Sequence, residues 1–346
     1  MAAAQVVILT VYPIEKKGTM MGTYGLATTA APIIAPTVAG LLIDAFGWKS
    51  IFYVVLAIMV ISFVLSSMVF ENVLELQDKK FDVISFVESI FAFGGITLGL
   101  GNITTYGLLS VQAGLPLLIG ALVCIFFVTR QCGLETPFLD VKILGNKNYA
   151  VSVIASMVLY LVMMGSSVMM PLYVQNVMGY SAVVSGLVTL PGSAATAIIS
   201  PFAGRIYDKM GIKKIFILGS AVLLISNLGM FFLSLETPLW VAAVLNVIRN
   251  ISIGCLMMPL LTWGTSNVDF RKVADASSLL TSFRTIAGSV GSALFVGIMT
   301  AVSAASQASY GDRALVHGMN ISFLCMAAGA FVLLLIAVFA VRKTKE

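Results

Sequence analysis

Long apolar runs separated by short polar breaks dominate the chain. Ten runs are long enough to cross a bilayer, because a spanning helix needs about 20 mostly apolar residues. The breaks carry charges, glycines or prolines, which are typical of loops between spans. The pattern therefore predicts an all-α, polytopic helical membrane protein. The predicted spans are 19–43, 51–70, 83–105, 113–129, 150–170, 181–203, 212–234, 239–263, 274–302 and 319–341.

A further apolar segment, Met1–Tyr12, precedes Pro13 and is shorter than a span. Twelve helical residues cover about 18 Å, whereas the hydrocarbon core is about 30 Å thick. The segment lacks the positive start of a signal peptide. We interpret it as the end of a helix whose beginning is absent.

Composition supports the membrane prediction and excludes several classes of function. The 346 residues are 59% hydrophobic and 10% charged, whereas soluble domains are about 25% charged. The net charge of +5 lies in loops, so we expect no nucleic-acid partner. One histidine and four cysteines without metal spacing predict no metal and no cofactor. No catalytic motif and no phosphate-binding G-x-x-x-x-G-K-[ST] occurs, so neither an enzyme nor a user of ATP is expected.

The distribution of positive residues predicts the topology. Of the 20 Lys and Arg residues, 16 fall in alternate loops, such as 71–82, 130–149 and 204–214. The opposite loops contain only Lys49 and Arg313. Cytoplasmic loops are enriched in Lys and Arg, so the C-terminus is predicted to be cytoplasmic, in a multi-pass protein of the plasma membrane.

The loop between the sixth and seventh spans carries the pattern G-x-x-x-D-K-x-G-x-K-K. Its glycines allow a tight turn, and its carboxylate suits a neighbouring helix N-terminus. The pattern resembles the cytoplasmic loop motif of the major facilitator superfamily, which implies a gating role for these residues. They are Gly204, Arg205, Asp208, Lys209, Gly211, Lys213 and Lys214.

A second pattern lies within the first span, where two prolines four residues apart bend the helix and small residues permit close packing. It resembles the antiporter motif A-P-x-x-G-P-x-x-G-G of the same superfamily. The chain differs from the motif at Ala35 and Ala39, where the family has glycine. The matching positions include Ala31, Pro32, Ala35, Pro36 and Gly40.

Further matches, including Arg249, Gly254 and Pro259 in R-x-x-x-x-G-x-x-x-x-P, resemble the EmrB/QacA-type branch of fourteen-helix drug:proton antiporters. The resemblance covers essentially the whole chain and implies a major facilitator-type fold with an incomplete N-terminal bundle, lacking the first three helices. Residues 1–70 would be the remainder of that bundle. Residues 71–149 would hold two linking transmembrane helices and a cytoplasmic linker, and 150–346 the C-terminal six-helix bundle.

Few polar residues lie inside the spans, and these are the candidates for a cavity or a proton path. Arg249 lies near the bilayer midplane, where a charge is expensive and usually faces a bundle interior. A purely structural arginine that pairs with backbone carbonyls is an equal alternative. The candidates are Gln5, Asn246, Arg249, Asn250 and Arg284.

The segment 136–149 is predicted to be a short amphipathic piece on the cytoplasmic surface that links the bundles. Together the features indicate a secondary transporter that exports amphipathic or cationic compounds in exchange for protons by alternating access. Its partners would be small amphipathic molecules, protons and the lipid bilayer. Two alternatives remain: a facilitator for a metabolite or other small molecule, and a transport-incompetent remnant that acts as a membrane interaction protein.

The topology can be tested by cysteine labelling in a cysteine-free background. In intact cells a membrane-impermeant maleimide should label Asn176→Cys, and it should label Lys209→Cys only after permeabilisation. The opposite labelling pattern would invert the predicted orientation.

Overall fold

The apolar runs form helices in the computed structural model, which describes residues 35, 38–69, 82–107, 110–134, 137–266, 268–269 and 272–341. Every regular element in this part of the chain is helical, so the predicted all-α fold is confirmed. The α-helices are α1 (Lys49–Val69), α2 (Val83–Tyr106), α3 (Val111–Gly133), α4 (Lys147–Leu172), α5 (Ala182–Phe231), α6 (Leu239–Ser266), α7 (Val273–Tyr310) and α8 (Ala314–Leu335). Helical residues 38–46 precede α1.

Among the described residues, eight stretches are long and apolar enough to cross a membrane. Each predicted span after the first has a counterpart in them. Two stretches lie in α5, and the last, Asp275–Ala340, includes both α7 and α8. Most of the first predicted span, 19–43, lies outside the described residues.

Helix α5 contains two spans, Ala182–Ser200 and Gly211–Phe231. The break between them is Gly211, whose φ of 70° lies in a region that glycine adopts without steric cost. Gly204, in contrast, is helical, and no described atom lies within 4 Å of a Cβ built on it. The turn therefore lies at Gly211, and a close helix approach at Gly204 stays a prediction.

Helices α2 and α3 form an antiparallel hairpin with its two backbones in contact. A Cβ on Gly95 would lie 2.8 Å from the Gly120 Cα atom, so only glycine fits there. At the hairpin base, Arg130 Nη2 donates to Asp82 Oδ1 at 3.0 Å. Hydrogen bonds from Ser85, and then the Arg130 guanidinium, lower the pKa of Asp82.

A 3₁₀ turn, Val141–Gly145, connects the hairpin to α4. Segment 136–149 stays predicted as an amphipathic piece on the cytoplasmic surface, with its apolar side chains Leu139 and Ile143 buried against protein. They join a core between hairpin, linker and bundle, here called the linker core. It consists of Phe127, Leu139, Ile143, Tyr149, Val153, Ala276, Leu279 and Leu280.

Polar contacts fix the same linker. The buried Asp140 accepts from Lys272 Nζ at 2.7 Å, and this hydrogen bond raises the pKa of Lys272. The Gln131 side-chain amide donates to Ser85 Oγ at 2.7 Å and accepts from Leu139 N at 3.1 Å. The linker is therefore attached to α3, and to the start of α7.

Helices α4 to α8 pack as a bundle around a second, larger apolar core. Its fully buried members come from every helix of the bundle and include Leu159, Phe216, Leu256, Phe295 and Phe323. This bundle and the hairpin attached to it position the polar residues described below.

The linker core gives a stability prediction. The Tyr149 hydroxyl donates to Ala276 O at 2.7 Å, and Tyr149→Phe removes this buried bond. We expect the free energy of unfolding to fall by about 0.5–1.5 kcal/mol, measured as a lower thermal midpoint of the purified protein. Tyr180→Phe, on an exposed ring, is the control. Equal midpoints for the two variants would contradict the role of the bond.

Candidate functional site

Arg249 lies in α6 with its side chain turned into the bundle. It is 2% exposed. Nη2 donates to Asn246 Oδ1 at 2.5 Å, and Nη1 points to Met230 Sδ at 3.1 Å. The guanidinium therefore lies between α6 and the second half of α5, with an amide and a thioether as its neighbours.

Amide and hydroxyl groups continue this site toward the first half of α5. Asn250 Nδ2 donates to Asn246 Oδ1 at 3.0 Å, and Thr196 Oγ1 donates to Asn250 O at 3.0 Å. A Cβ on Gly192 would lie 2.7 Å from both side-chain amide nitrogens. Glycine at this position thus leaves the space that the two asparagines fill. We call Gly192, Thr196, Asn246, Arg249 and Asn250 the amide cluster.

No carboxylate of the described residues pairs with Arg249. Ion pairs in this part of the chain include Arg130–Asp82, Lys272–Asp140 and Arg313–Glu236, and none of these involves Arg249. Arg249 Nε has no hydrogen-bond partner there. A buried charge without a counter-charge is costly, and among the described residues only the neutral acceptors on Asn246 and Met230 stabilise it. The Nε–H of the guanidinium is among the donors left to bind a further acceptor.

Arg284, the second buried arginine, is fixed differently. Its Nη2 donates to Ser156 Oγ and to Met257 O, each at 3.1 Å. The guanidinium carbon lies 5.0 Å from the ring centroid of Tyr160, a cation–π distance. Arg284 therefore joins α7 to α4 and α6, while its Nε has no partner among the described residues.

Other residues at these sites were missed by the sequence reasoning. Asn227 is fully buried in α5 and donates from Nδ2 to Leu223 O at 2.9 Å, while its Oδ1 has no partner in the described part of the chain. An asparagine in an otherwise apolar span is a signal that could have identified it. Tyr160 and Ser156 carried no comparable signal, because they contact Arg284 from a different helix.

The loop-motif residues are only partly described. Arg205, Asp208 and Lys209 have helical backbones, and their side chains lie outside the described part of the structure. Lys213 Nζ donates to Val338 O at 3.0 Å, in the π-helical turn Ile336–Ala340 that follows α8. Lys214 is exposed. The loop is thus attached to the end of the last helix through a lysine.

The antiporter-like motif is described at Ala35 and Gly40, whereas Ala31, Pro32, Pro36 and also Gln5 lie outside the described residues. Ala35 is exposed. A Cβ on Gly40 would lie 2.6 Å from Ala182 O, and Val183 N donates to Asp44 Oδ2 at 3.2 Å. The small residue at position 40 therefore packs directly on the start of α5.

Metal binding finds no support in the described residues, where no group of three or more His, Cys, Asp or Glu side chains could hold an ion. The chemistry available at the amide cluster is hydrogen-bond donation from a buried positive charge.

A double-mutant cycle tests whether Asn246 is the main partner of Arg249. Asn246→Ala should lower the free energy of unfolding by about 1.5–3 kcal/mol, since it removes a hydrogen bond to a charged group. The same change in an Arg249→Met background should cost clearly less. Thermal or denaturant unfolding in detergent measures both. Equal costs in the two backgrounds would mean that another group, such as a carboxylate outside the described residues, neutralises Arg249.

Comparison with known proteins gives the family. The model for the Major Facilitator Superfamily matches residues 1–292. The uncharacterized MFS-type transporter YcnB of Bacillus subtilis (strain 168) is 32% identical over 346 residues, which cover all of this chain and 73% of that protein.

Two further relatives have names that state a function. The riboflavin transporter RibZ of Clostridioides difficile (strain 630) is 26% identical over 353 residues, covering all of this chain and 75% of RibZ. The lincomycin resistance protein LmrB of Bacillus subtilis (strain 168) is 30% identical over 296 residues, covering 85% of this chain and 62% of LmrB. The family model and these relatives agree with the helices long enough to cross a membrane, and the chain therefore belongs to the major facilitator superfamily of multi-pass membrane transporters for small molecules.

Proposed function

We propose that the protein is a secondary active efflux transporter that exchanges amphipathic or cationic compounds for protons, in the EmrB/QacA-type fourteen-helix branch. The observation that carries the proposal is Arg249, a buried charge that no carboxylate of the described residues neutralises. In a transporter, such a charge attracts a titratable carboxylate or a polar cargo group into the bundle. Proton uptake by that carboxylate would weaken its attraction to Arg249 and so couple proton movement to a change of state.

The names of two relatives support the export of drugs as the activity. LmrB is named for lincomycin resistance and is 30% identical over 85% of this chain. A multidrug resistance protein, Stp of Mycobacterium tuberculosis, is 25% identical over 87% of it. We therefore favour a broad range of amphipathic cargo over one cognate metabolite. We propose that the protein lies in the plasma membrane with a cytoplasmic C-terminus.

The mechanism that we propose is alternating access, in which residues 150–346 rock as one bundle against the other half of the transporter. Asp208 of the loop motif would contact the N-terminal end of the helix that begins at about Thr19 and stabilise one state. The motif residues 31–40 would form the packing surface on which α5 moves, since Gly40 already contacts Ala182.

A second function is transport of a metabolite. RibZ, named as a riboflavin transporter, is 26% identical over the whole of this chain. The same fold and the same rocking movement would serve that cargo, and only a transport measurement separates the two.

Reconstituted vesicles with an imposed pH gradient test the proposal. Ethidium should move against its concentration gradient when protons flow the other way, and a protonophore should abolish the movement. Gradient-driven riboflavin movement without ethidium movement would favour the metabolite alternative. Movement of neither compound would contradict coupled export by this chain and favour the transport-incompetent alternative.

Asp208→Asn tests gating in the same vesicles. The variant keeps the shape and loses a helix-end charge worth about 0.3–1 kcal/mol, so the ratio of inward- to outward-facing molecules should change by about 2- to 5-fold. Spin-label distances across the two halves measure this ratio, and Lys147→Gln, at an exposed charge outside the motif on the same predicted side of the membrane, is the control. Wild-type transport and distances in Asp208→Asn would rule out the gating role.

A further inference from the structure

A groove runs between α2 and α7, on the side of the bundle where the hairpin packs. Its volume is about 670 Å³, within the range of small-molecule sites. We infer that this groove binds amphipathic molecules whose polar end carries N–H or O–H donors, as a second site apart from the amide cluster. The inference deepens the proposed export function and rests on it for the class of cargo. The polar walls are formed by Thr97 and Asn102 of α2 and by Thr281, Ser282, Thr285 and Ser289 of α7.

Hydroxyl groups along α7 make the groove favour ligands that carry hydrogen-bond donors. Thr281 Oγ1 donates to Ser277 O at 2.7 Å, Thr285 Oγ1 to Thr281 O at 2.9 Å, and Ser289 Oγ to Thr285 O at 3.1 Å. A hydroxyl whose proton is bonded to its own helix offers only lone pairs to a ligand. The row extends from Thr281 to Ser289, eight residue steps or about 12 Å of helix. A ligand along it meets acceptors, so its own polar groups must donate.

Apolar side chains complete the lining, which explains why the ligand must be amphipathic. Phe93 and Leu98 of α2 and Ile286 of α7 face the same space. No charged side chain of the described residues lines it. A ring system can therefore lie against Phe93 while donors on its edge bind the hydroxyl row.

Two glycines of α2 leave the groove open for a ligand. Gly95 and Gly99 pack against α3, where a Cβ would clash with backbone. Gly94 and Gly101 line the groove instead, and no described atom lies within 4 Å of a Cβ built on either. Helix–helix contact among the described residues does not require glycine there, although glycine costs about 1 kcal/mol in a helix relative to alanine.

The walls of the groove are held together, so the site is formed before a ligand binds. Phe93 of α2 packs edge-on against Phe127 at a centroid distance of 5.8 Å, and Phe127 belongs to the linker core. That core includes Ala276 and Leu280 of α7, and the Asp140–Lys272 ion pair holds the linker to the start of the same helix. A preformed site avoids most of the ordering cost of binding.

Two dyes that each carry a xanthene ring system and an ethyl ester provide matched probes. Rhodamine 6G carries two N–H donors, whereas tetramethylrhodamine ethyl ester carries none. Binding to the purified protein in nanodiscs is measured by fluorescence anisotropy. We expect rhodamine 6G to bind more tightly, and Thr285→Val to weaken its binding by about 2- to 10-fold, the range for one hydrogen bond. The binding of tetramethylrhodamine ethyl ester should not change.

Gly101→Leu fills the groove and should weaken the binding of both dyes at least tenfold. The matched control is Gly133→Leu, which also has no described atom within 4 Å of its Cβ position but lies outside the groove. Dye binding that is unchanged in both Gly101→Leu and Thr285→Val overturns the proposal. A Gly101→Leu protein with a lower thermal midpoint and unchanged dye binding also overturns it, because a protein segment would then occupy the space.

The same proteins separate this inference from the export proposal. The protein could show donor-selective dye binding that Thr285→Val weakens and yet no proton-driven transport. This result supports the groove as a binding site and contradicts the export proposal. Proton-driven transport without donor-selective dye binding contradicts the groove as a binding site and leaves the export proposal unaffected.

Discussion

Direct contact between helix backbones is the constraint on which the rest of this structure depends. Lipid is as apolar as the helix surfaces, so burial drives helix association weakly in a membrane, and close packing at small residues replaces it. Gly95 and Gly120 bring α2 against α3, and a Cβ on Gly291 of α7 would clash with the backbone of Leu161 in α4. Such contacts leave little freedom to shift, so each polar cluster keeps its geometry.

Within that frame, two positive charges are buried by different means. Arg284 contacts an aromatic face, a hydroxyl and a backbone carbonyl from two neighbouring helices, an arrangement that ties three helices together. Arg249 has an asparagine one turn away and a methionine on α5. Neither arginine meets a negative charge among the described residues, and the contacts of Arg249 are one amide oxygen and one thioether, fewer than those of Arg284.

Much of the fold could be predicted from the sequence, because spans depend on local hydropathy and each later span has its helix. The linker could not, since Leu139 and Ile143 are buried by Ala276 and Leu280, which lie more than a hundred positions further along the chain. The Arg249–Asn246 pair follows from helical spacing, whereas the contact with Met230 does not. The groove between α2 and α7 could not be predicted from the sequence for the same reason, because its walls come from residues far apart along the chain. In addition, threonine or glycine in a span gives no signal of its own.

The shared linker core has a consequence for chimeras. Cutting out residues 82–134 and rejoining the ends would remove Phe127 from the linker core, together with Gln131, whose side chain accepts from Leu139 N. The helix pair is therefore an integral part of the second half of the molecule rather than a removable spacer. A hybrid built from two relatives should take its hairpin and its last five helices from the same parent.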